Sequence, residues 1–371
     1  MKTKVWIVIW GLKDGGAEVL ARNYASLVDP QIFDATVVTM YPFEDTANYR
    51  HAKNAGIRIL SVFQKRNTLT RMVRLLLGKW YVPFALKRML AKEKPDTIHF
   101  NSKMLPYFTT LTKELSGVRL LYTCHNEVQV YFSDEEKRAA EHLMKNTDMR
   151  LIALHDDMKA ELNQTFSRND TVVIRNGIDL NRFRNVSEDK NEIRQGLGID
   201  RNAYVVGHIG RFAKEKNHVF LLKIFQAIVD RKPNAHLLLI GSGELKEQIT
   251  QVIAESKWKD RVTILSHRTD IPELLHAMDV LVFPSLYEGL SVTLVEAQAS
   301  GLKCVISDTI NPATIMSEKT IPVSLDASAE VWADIVLNDG KKNKSYGNIE
   351  DYDMKREIRR LERLYLGEVD V

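Results

Sequence analysis

The sequence predicts an α/β protein with doubly wound parallel sheets in two domains. Short apolar runs alternate with helix-length segments along most of the chain, the pattern of parallel strands joined by crossover helices. Glycine-containing corners follow several of these runs, where a strand would turn into a helix. The length of 371 residues is too great for one ordinary core and fits two domains of about 170 residues each.

The apolar runs predict strands in both halves of the chain. In the first half they are Val5–Trp10, Ala35–Thr39, Arg58–Val62, Asp96–Phe100, Arg119–Thr123, Arg150–Leu154 and Thr171–Ile174. In the second half they are Tyr204–Ile209, Ala235–Ile240, the run that starts at Val262, Asp279–Phe283 and Lys303–Ser307. The polar stretch at 186–201 suits a surface linker, and Met354–Leu366 reads as a basic helix.

Composition favours a soluble protein of a reducing compartment. The hydrophobic fraction of 44% and the charged fraction of 27% are ordinary for such proteins. Cys124 and Cys304 lie far apart and lack metal-ligand spacing, so a disulfide framework is not expected. The apolar run before Gly11 is too short for a signal-peptide core or a membrane span. We therefore expect a cytoplasmic protein whose membrane association, if it has one, is peripheral.

One stretch, Leu281–Gly301, has the form of a strand-to-helix corner. A buried strand ends at Phe283, a turn follows, and the apolar spacing from Ser291 onward indicates a helix that Gly301 stops. Ser291 is a plausible N-cap. Such corners lie at the carboxyl edge of a parallel sheet, where ligands bind and a helix start attracts phosphate. Glu288 and Glu296 stand here with seven residues between them, although either alone would suit a solvated position.

Three further corners carry glycines or bases. Gly11–Glu18 contains the pair Gly15-Gly16, but the dinucleotide fingerprint G-x-G-x-x-G is absent. Gly210–Asn217 contains Arg211 and Lys216, natural ligands of a diphosphate and equally compatible with a solvated loop. Gly241–Glu244 is a third corner, after the strand that ends at Ile240.

A histidine and an Asn-Gly turn complete the set of candidates in the first half. His125 follows a predicted strand at its carboxyl end, although a lone histidine is more often a structural hydrogen-bonding residue than a catalytic one. Asn176-Gly177 marks a turn at the end of the first half.

These motifs as a set resemble the retaining, GT-B-fold glycosyltransferases of family 4. They occur in the family's order, namely GGAE, His125, NGID, GRxxxxKN, GSGE and Glu-x7-Glu. The resemblance spans roughly residues 3–340, is densest over 207–307, and is nearest to bacterial exopolysaccharide and capsule enzymes. It implies two Rossmann-like domains facing across a cleft. Residues 1–175 would form the acceptor side, 176–345 the donor domain, and 346–371 a helix returning to the first domain.

The resemblance also implies roles for individual residues. Arg211 and Lys216 would neutralise the diphosphate of the donor, Glu296 would hold its ribose, and Glu288 the transferred sugar or first phosphate. His125 would lie near the reacting carbon, which with Glu288, Arg211 and Lys216 makes the expected catalytic set. The rest of the expected donor site is Gly16, Gly241, Gly243, Gly289, Leu290 and Ser291.

The family chemistry implies a nucleotide-diphosphate sugar as donor, expected to be a UDP-sugar, with no cofactor and no metal. The anomeric configuration would be kept, and the departing phosphate would take the proton of the acceptor. Ser266 and Ser291 depart from the residues usual in the family, which puts the finer donor contacts there in question.

The segment Arg50–Lys94 is strongly basic, with twelve bases against Glu93 as its one acid. Trp80 and Tyr81 are aromatic residues of the kind that favour a lipid headgroup interface. Either a helix pair covers the sheet with solvated charges, or this surface docks on anionic lipid at the inner face of the cell membrane. Nucleic acid is a poorer explanation, because no recognition motif is present and the net charge is only +4.

Three functions therefore compete. The first is glycosyl transfer from a nucleotide sugar to a glycan or polyprenyl-linked acceptor in exopolysaccharide, capsule or other surface polysaccharide synthesis. The second is a GT-B-fold isomerase or phosphorylase, for which no cofactor-lysine motif is visible. The third is a catalytically silent binder of sugar nucleotides, which the intact Arg211, Lys216, Glu288 and Glu296 argue against.

Overall fold

The computed structural model describes residues 2–13, 15–266, 268–288, 291–338 and 342–368. The chain divides into two compact units. Unit 1 is Met1–Asn176 together with Lys355–Val371, and unit 2 is Gly177–Met354. Unit 1 therefore combines the N-terminal half of the chain with its C-terminal helix.

Unit 1 is built on a parallel sheet. Its strands are β1 Thr3–Ile9, β2 Phe33–Thr39, β3 Arg58–Ser61, β4 Thr97–Phe100, β5 Arg119–Thr123, β6 Met149–Ala153 and β7 Val172–Val173. Its helices are α1 Gly16–Leu27, α2 Ala47–Asn54, α3 Thr68–Glu93, α4 Val128–Tyr131, α5 Asp134–Asn146 and α6 Asp156–Phe166. Over the described residues the strand order is β3-β2-β1-β4-β5-β6-β7, and each pairing is parallel.

Unit 2 repeats this plan. The helices α7 Leu180–Arg184 and α8 Lys190–Gly196 precede a sheet of β8 Tyr204–Ile209, β9 Ala235–Ile240, β10 Val262–Leu265, β11 Val280–Phe283, β12 Lys303–Ser307 and β13 Thr320–Val323. The remaining helices are α9 His218–Arg231, α10 Lys246–Ala254, α11 Ile271–Ala277, α12 Val292–Ala299 and α13 Ala329–Leu337. The order in the described sheet is β10-β9-β8-β11-β12-β13. The expected class, two doubly wound parallel sheets in an α/β protein, is confirmed.

Each sheet has one point where the direction of its strand order reverses. In unit 1 the point lies between β1 and β4, and in unit 2 between β8 and β11. Crossover helices leave on opposite faces of the sheet at such a point, which opens a crevice beyond the carboxyl ends of the two strands. Ligands of doubly wound folds bind in this crevice. The loops after β8 and β11 are therefore the candidate ligand-binding loops of unit 2.

The C-terminal helix, α14 Met354–Leu366, belongs to unit 1 and is bound to it by buried polar contacts. Thr97 Oγ1 donates to the carbonyl of Tyr365 over 3.1 Å, and the Tyr365 hydroxyl lies 2.8 Å from Nδ1 of His99. The carboxylate of Glu357 accepts from the backbone N–H of Arg175 over 2.7 Å. Although the segment reads as basic, its inner face is therefore held by aromatic and acidic side chains.

The predicted linker at 186–201 is wrong as a purely surface segment, because α8 lies within it and buries Ile193 and Arg194. The guanidinium of Arg194 bonds to the Asp279 carboxylate over 2.7 Å and to the Ala277 carbonyl over 2.9 Å. A buried charge that is paired in this way has the same sequence signature as a solvated one. Strand β13 was not predicted, because Pro322 interrupts its apolar pattern. An edge strand tolerates proline, and β13 lies at the edge of the described sheet.

The basic segment Arg50–Lys94 contains the end of α2, strand β3 and the whole of α3, a helix of 26 residues, so one part of it is a strand of the sheet. Asn67 and Thr70 form a capping box at the start of α3, and the helix continues through Pro83. Its buried residues recur every four positions at Gly78, Val82, Leu86 and Leu90. Among the helices that the structure describes, α3 included, none is both long enough and apolar enough to cross a membrane.

Candidate functional site

The loops after β8 and β11 are joined by a lysine–glutamate pair. Lys216 Nζ lies 2.6 Å from Oε1 of Glu288, and their side chains are only 15% and 11% exposed. The Lys216 ammonium also lies 4.8 Å from the centre of the Phe283 ring, at the end of β11. The backbone N–H of Leu286 donates to the carbonyl of Glu215 over 2.8 Å, which ties the two loops together. Two predicted site residues therefore meet at the reversal point of the sheet.

Arg211 belongs to the same loop as Lys216 and is far more accessible to solvent. Its guanidinium pairs with the Glu244 carboxylate at 2.9 Å, with side chains 67% and 54% exposed. An ion pair this exposed contributes little to stability, because water solvates both partners nearly as well. The guanidinium can therefore exchange Glu244 for another anion at low cost.

Gly241 and Gly243 are required by the close approach of two loop backbones. A Cβ on Gly241, whose φ is +149°, would lie 1.9 Å from the carbonyl oxygen of Gly210. A Cβ on Gly243 would lie 2.5 Å from the carbonyl oxygen of Phe212. The two loops also exchange a backbone hydrogen bond of 3.0 Å from Phe212 N–H to the carbonyl of Ser242. These glycines thus hold the Arg211 loop against the end of β9.

Ser266, which departs from the family pattern, joins this arrangement. Its hydroxyl donates to the Gly241 carbonyl over 3.1 Å, and Lys246 Nζ donates to the hydroxyl over 3.2 Å. The serine therefore adds a hydrogen bond to the glycine corner after β9.

Glu296 lies in α12 and is partly buried. Burial raises the pKa of its carboxyl to about 7, against the opposing effect of the Arg182 charge. A carboxyl group in this condition is ready to exchange a proton near neutral pH. Ser291 occupies the N-cap position of α12, but its side chain makes no capping hydrogen bond, so the expected cap lacks its usual bond. The predicted site residues Gly289 and Leu290 lie outside the described residues.

Two histidines behind Lys216 were not predicted. His208 stacks on Phe283 at 5.4 Å and meets the edge of His218 at 4.8 Å, and both rings are buried. Nδ1 of His208 donates to the carbonyl of Val282 over 2.9 Å. Nε2 of His208 and both nitrogens of His218 have no hydrogen-bond partner among the described residues.

These imidazoles are neutral near physiological pH. Burial, reinforced by the Lys216 charge, lowers the pKa of His218 to about 4. Burial and the neighbouring His218 hold the pKa of His208 well below its usual range. The only signal in the sequence is that both residues flank the GRxxxxKN motif, in GHIGRF and KNH. The two neutral rings therefore lie near the lysine without adding charge to its surroundings.

His125 lies in unit 1, at the carboxyl end of β5. Its Nε2 donates to Oδ1 of Asn101 over 3.1 Å, and Asn101 in turn donates to the His99 carbonyl over 3.2 Å. Burial lowers the pKa of His125 to about 4, so the ring is neutral near pH 7. With Nε2 protonated toward Asn101, its Nδ1 carries a free lone pair. Asn101, which follows β4, was not predicted and fixes this orientation.

Gly16 begins α1, next to the reversal point of the unit 1 sheet. The N-cap residue, Gly15, has no side chain to occupy the first-turn N–H groups. A Cβ placed on Gly16 would meet nothing within 4 Å, whereas one on Gly15 would lie 2.4 Å from the Glu18 carboxylate. The helix start is therefore open on the Gly16 side, and open first-turn N–H groups suit an anion.

In chemical terms, the loops after β8 and β11 bring two cations, Arg211 and Lys216, and the carboxylate of Glu288 to one sheet edge, and Glu296 lies in the helix that follows. A cation pair of this kind stabilises the negative charge that develops on a departing phosphate. Carboxyl groups accept hydrogen bonds from hydroxyls, as on ribose or a sugar. Such a set fits the binding and activation of a sugar nucleotide.

Comparison with known proteins agrees with this chemistry. Residues 14–182 match Glycosyltransferase Family 4, and residues 189–348 match Glycosyl transferases group 1. The putative glycosyltransferase EpsF of Bacillus subtilis is 29% identical over 345 residues, which cover 90% of this chain and 86% of that protein. A relative from Escherichia coli is 27% identical over 77% of this chain and 79% of its own length; its name is UDP-Gal:alpha-D-GlcNAc-diphosphoundecaprenol alpha-1,3-galactosyltransferase.

Solved structures of similar fold include the HepE protein of Anabaena in complex with UDP. It superposes with a TM-score of 0.75 at 20% identity and covers 99% of this chain and 100% of that one. The same protein in complex with UDP-glucose gives a TM-score of 0.74 at 21% identity, covering 98% and 100%. With a family 4 domain followed by a group 1 domain on two Rossmann-like sheets, the chain belongs to the GT-B glycosyltransferases of the family 4 type.

Proposed function

We propose that this glycosyltransferase moves a sugar, with retention of configuration, from a UDP-sugar to a glycan or polyprenyl-linked acceptor in exopolysaccharide or capsule synthesis. The observation that carries the proposal is the Lys216–Glu288 pair at the reversal point of unit 2. The names of the relatives support the substrate classes, since one denotes transfer from UDP-Gal to a diphosphoundecaprenol-linked sugar. HepE is bound to UDP and UDP-glucose in its structures.

In the proposed mechanism the donor diphosphate displaces Glu288 from Lys216 and Glu244 from Arg211. The freed Glu288 then accepts from the transferred sugar, and Glu296 accepts from the ribose hydroxyls. As the bond from the anomeric carbon to phosphate breaks, Lys216 and Arg211 stabilise the charge on the leaving phosphate by a few kcal/mol each. These two cations take the part that a divalent metal plays in other transferases.

Retention follows when the acceptor attacks from the face that the diphosphate leaves. The acceptor hydroxyl forms the new bond to the anomeric carbon, and its proton passes to the departing phosphate oxygen. The neutral His125 contributes its free Nδ1 as an acceptor for a sugar hydroxyl. No separate protein base is needed for this transfer.

The outer face of α3 is proposed to bring the enzyme to an anionic membrane at the inner face of the cell. Leu76 and Trp80 are 74% and 80% exposed on this helix. Arg71 and Lys79, on the same helix, are exposed and form no ion pair with a described residue. Apolar and aromatic side chains can enter the headgroup region while bases meet phosphate, each contributing roughly 1 kcal/mol.

The activity is tested with a panel of UDP-, GDP- and dTDP-sugars, each offered with and without a polyprenyl diphosphate-linked sugar. We expect one UDP-sugar to be consumed only with acceptor, an α-linked product by NMR, and unchanged turnover in EDTA. Transfer with inversion, or activity restored only by Mg²⁺ after EDTA, would contradict the mechanism. Nucleotide binding without any transfer would favour the silent binder.

Membrane docking is tested separately by co-sedimentation with liposomes containing phosphatidylglycerol, at low and high salt. The wild type should bind at low salt and dissociate at high salt, because the Debye length falls. The triple variant Arg71→Glu, Arg74→Glu, Lys79→Glu should bind at least tenfold less. Equal binding of both proteins would remove the membrane part of the proposal.

A further inference from the structure

A groove runs between α3 and the outer edge of β3 in unit 1. Its volume is about 540 Å³. Strand β3 contributes Ile59, Leu60 and Ser61 to one side, and α3 contributes Tyr81, Phe84 and Met89 to the other. In the described part of the sheet β3 pairs with β2 alone, so this edge carries no further strand. The groove plays no part in the donor chemistry, whose cations all lie in unit 2.

The groove carries an excess of positive charge. Lys53, Arg88 and Lys92 line it, and none of the three forms an ion pair with a described residue. Glu93 also lines it, but its carboxylate is held by Arg58 at 2.8 Å. Glu44 is the other acid among the lining residues. Three bases facing one uncompensated carboxylate suit a single bound phosphate group.

An apolar ridge lies on α3, the helix that carries Arg88 and Lys92, whereas Lys53 belongs to α2. It consists of Leu69, Met72, Leu76, Trp80 and Phe84, which recur every three or four residues and are 52% to 80% exposed. Phe84 belongs to both features, since it is 58% exposed and also lines the groove. The guanidinium of Arg88 lies 5.9 Å from the centre of its ring. The charged groove thus adjoins the apolar ridge, just as the phosphate of a lipid adjoins its acyl chains.

We propose that this groove binds the phosphate-bearing headgroup of an anionic phospholipid, while the ridge lies among the first carbons of its acyl chains. The inference rests on the proposed membrane role of α3 and adds a defined, saturable site to it. A second copy of the chain suits this face less well, because two copies joined here would bring their bases together. The site would fix the depth and rotation of unit 1 on the bilayer, which diffuse charge alone does not.

The test uses dihexanoyl phosphatidylglycerol below its micelle concentration, titrated into the full-length protein by isothermal calorimetry. We expect saturable binding of one lipid per chain, with dihexanoyl phosphatidylcholine binding at least tenfold more weakly. Glycerol phosphate, which has the phosphate without the chains, should also bind at least tenfold more weakly. If it binds as tightly as the lipid, the site is one for free phosphate and the proposal fails.

Matched variants separate the groove from general charge. The double variant Arg88→Gln, Lys92→Gln should lose at least tenfold in lipid affinity. The double variant Arg71→Gln, Lys79→Gln removes the same charge from the same helix outside the groove, so it should bind the short lipid like the wild type. Both should keep normal melting temperatures and normal transfer to a water-soluble acceptor.

Equal loss of lipid affinity in both double variants would overturn the proposed groove site. Dimerisation through this face, measured by light scattering, would overturn it as well. Sedimentation with vesicles could still succeed in either case, so the broader membrane role and the specific site fail separately. Transfer to the soluble acceptor reports on the catalytic proposal independently of both.

Discussion

Lys216 and Glu288 come from corners 72 residues apart and lie 2.6 Å from each other, nearly out of contact with water. Before a donor binds, each therefore compensates the other's charge. A donor diphosphate would have to replace the carboxylate at the ammonium. The ammonium would then exchange one negative partner for another, so its charge stays compensated. The pair with Glu288 therefore keeps the lysine desolvated and oriented at a modest cost in free energy.

The first prediction concerns the stability of this pair. Lys216→Met should lower the free energy of unfolding by on the order of 2 kcal/mol, because Glu288 would remain partly buried without a partner. The double variant Lys216→Met, Glu288→Gln should recover part of that loss. Urea unfolding followed by circular dichroism measures both. A double variant less stable than the single one would show that the two residues do not interact as a pair.

The second prediction separates binding of the donor from stability at Arg211. The double variant Arg211→Ala, Lys216→Ala should lose more than 100-fold in kcat/KM for the donor, about 3 kcal/mol. Arg211→Ala alone should reduce activity while leaving the melting temperature within about 1 °C, because its pair with Glu244 is exposed. Arg231→Ala breaks another exposed pair, with Asp334, and should change neither quantity. Near-normal turnover of the double variant at saturating donor would exclude the phosphate assignment.

The third prediction is a pH dependence of donor binding through Glu296, whose pKa burial raises to about 7. Ribose hydroxyls bind best to the ionised form, so donor binding should lower this pKa and release a proton. Affinity should then rise as pH increases through 7, with up to a tenfold change per pH unit below it. Calorimetry in buffers of different ionisation enthalpy measures the proton. Glu296→Gln should bind more weakly and without proton release; a variant that still releases the proton would assign it elsewhere.

The fourth prediction compares two glycines with positive φ. Gly241→Ala should destabilise unit 2 by about 2 kcal/mol or more and weaken donor binding, because its Cβ would lie 1.9 Å from the Gly210 carbonyl oxygen. Gly301→Ala, at φ +70° with nothing within 4 Å of the added atom, should cost about 1 kcal/mol and spare donor binding. Thermal unfolding with and without UDP tests both. Equal effects would mean that contact between the two loops is unimportant.

Local sequence determined most of the framework. Buried parallel strands are mostly apolar, which marks their limits in the sequence. Three strands have their predicted bounds, namely Tyr204–Ile209, Ala235–Ile240 and Lys303–Ser307. Polar and glycine-rich corners mark where each strand ends, because a chain that turns there needs backbone freedom and hydrogen bonds. For the same reason the sequence alone placed Arg211, Lys216 and Glu288 at the carboxyl edge of a sheet, with Glu296 in the following helix.

Tertiary structure decided which of these groups meet and in what state. The order of strands brings β8 beside β11, and only that neighbourhood pairs Lys216 with Glu288 and puts His208 and His218 behind them. Burial, which depends on distant segments, sets the proton affinity of Glu296. It also determines that Arg194 is an interior residue and that α3 keeps its apolar ridge outside. Hydrophobic period is a local property of the chain, whereas solvation and charge pairing depend on what the rest of the fold places nearby.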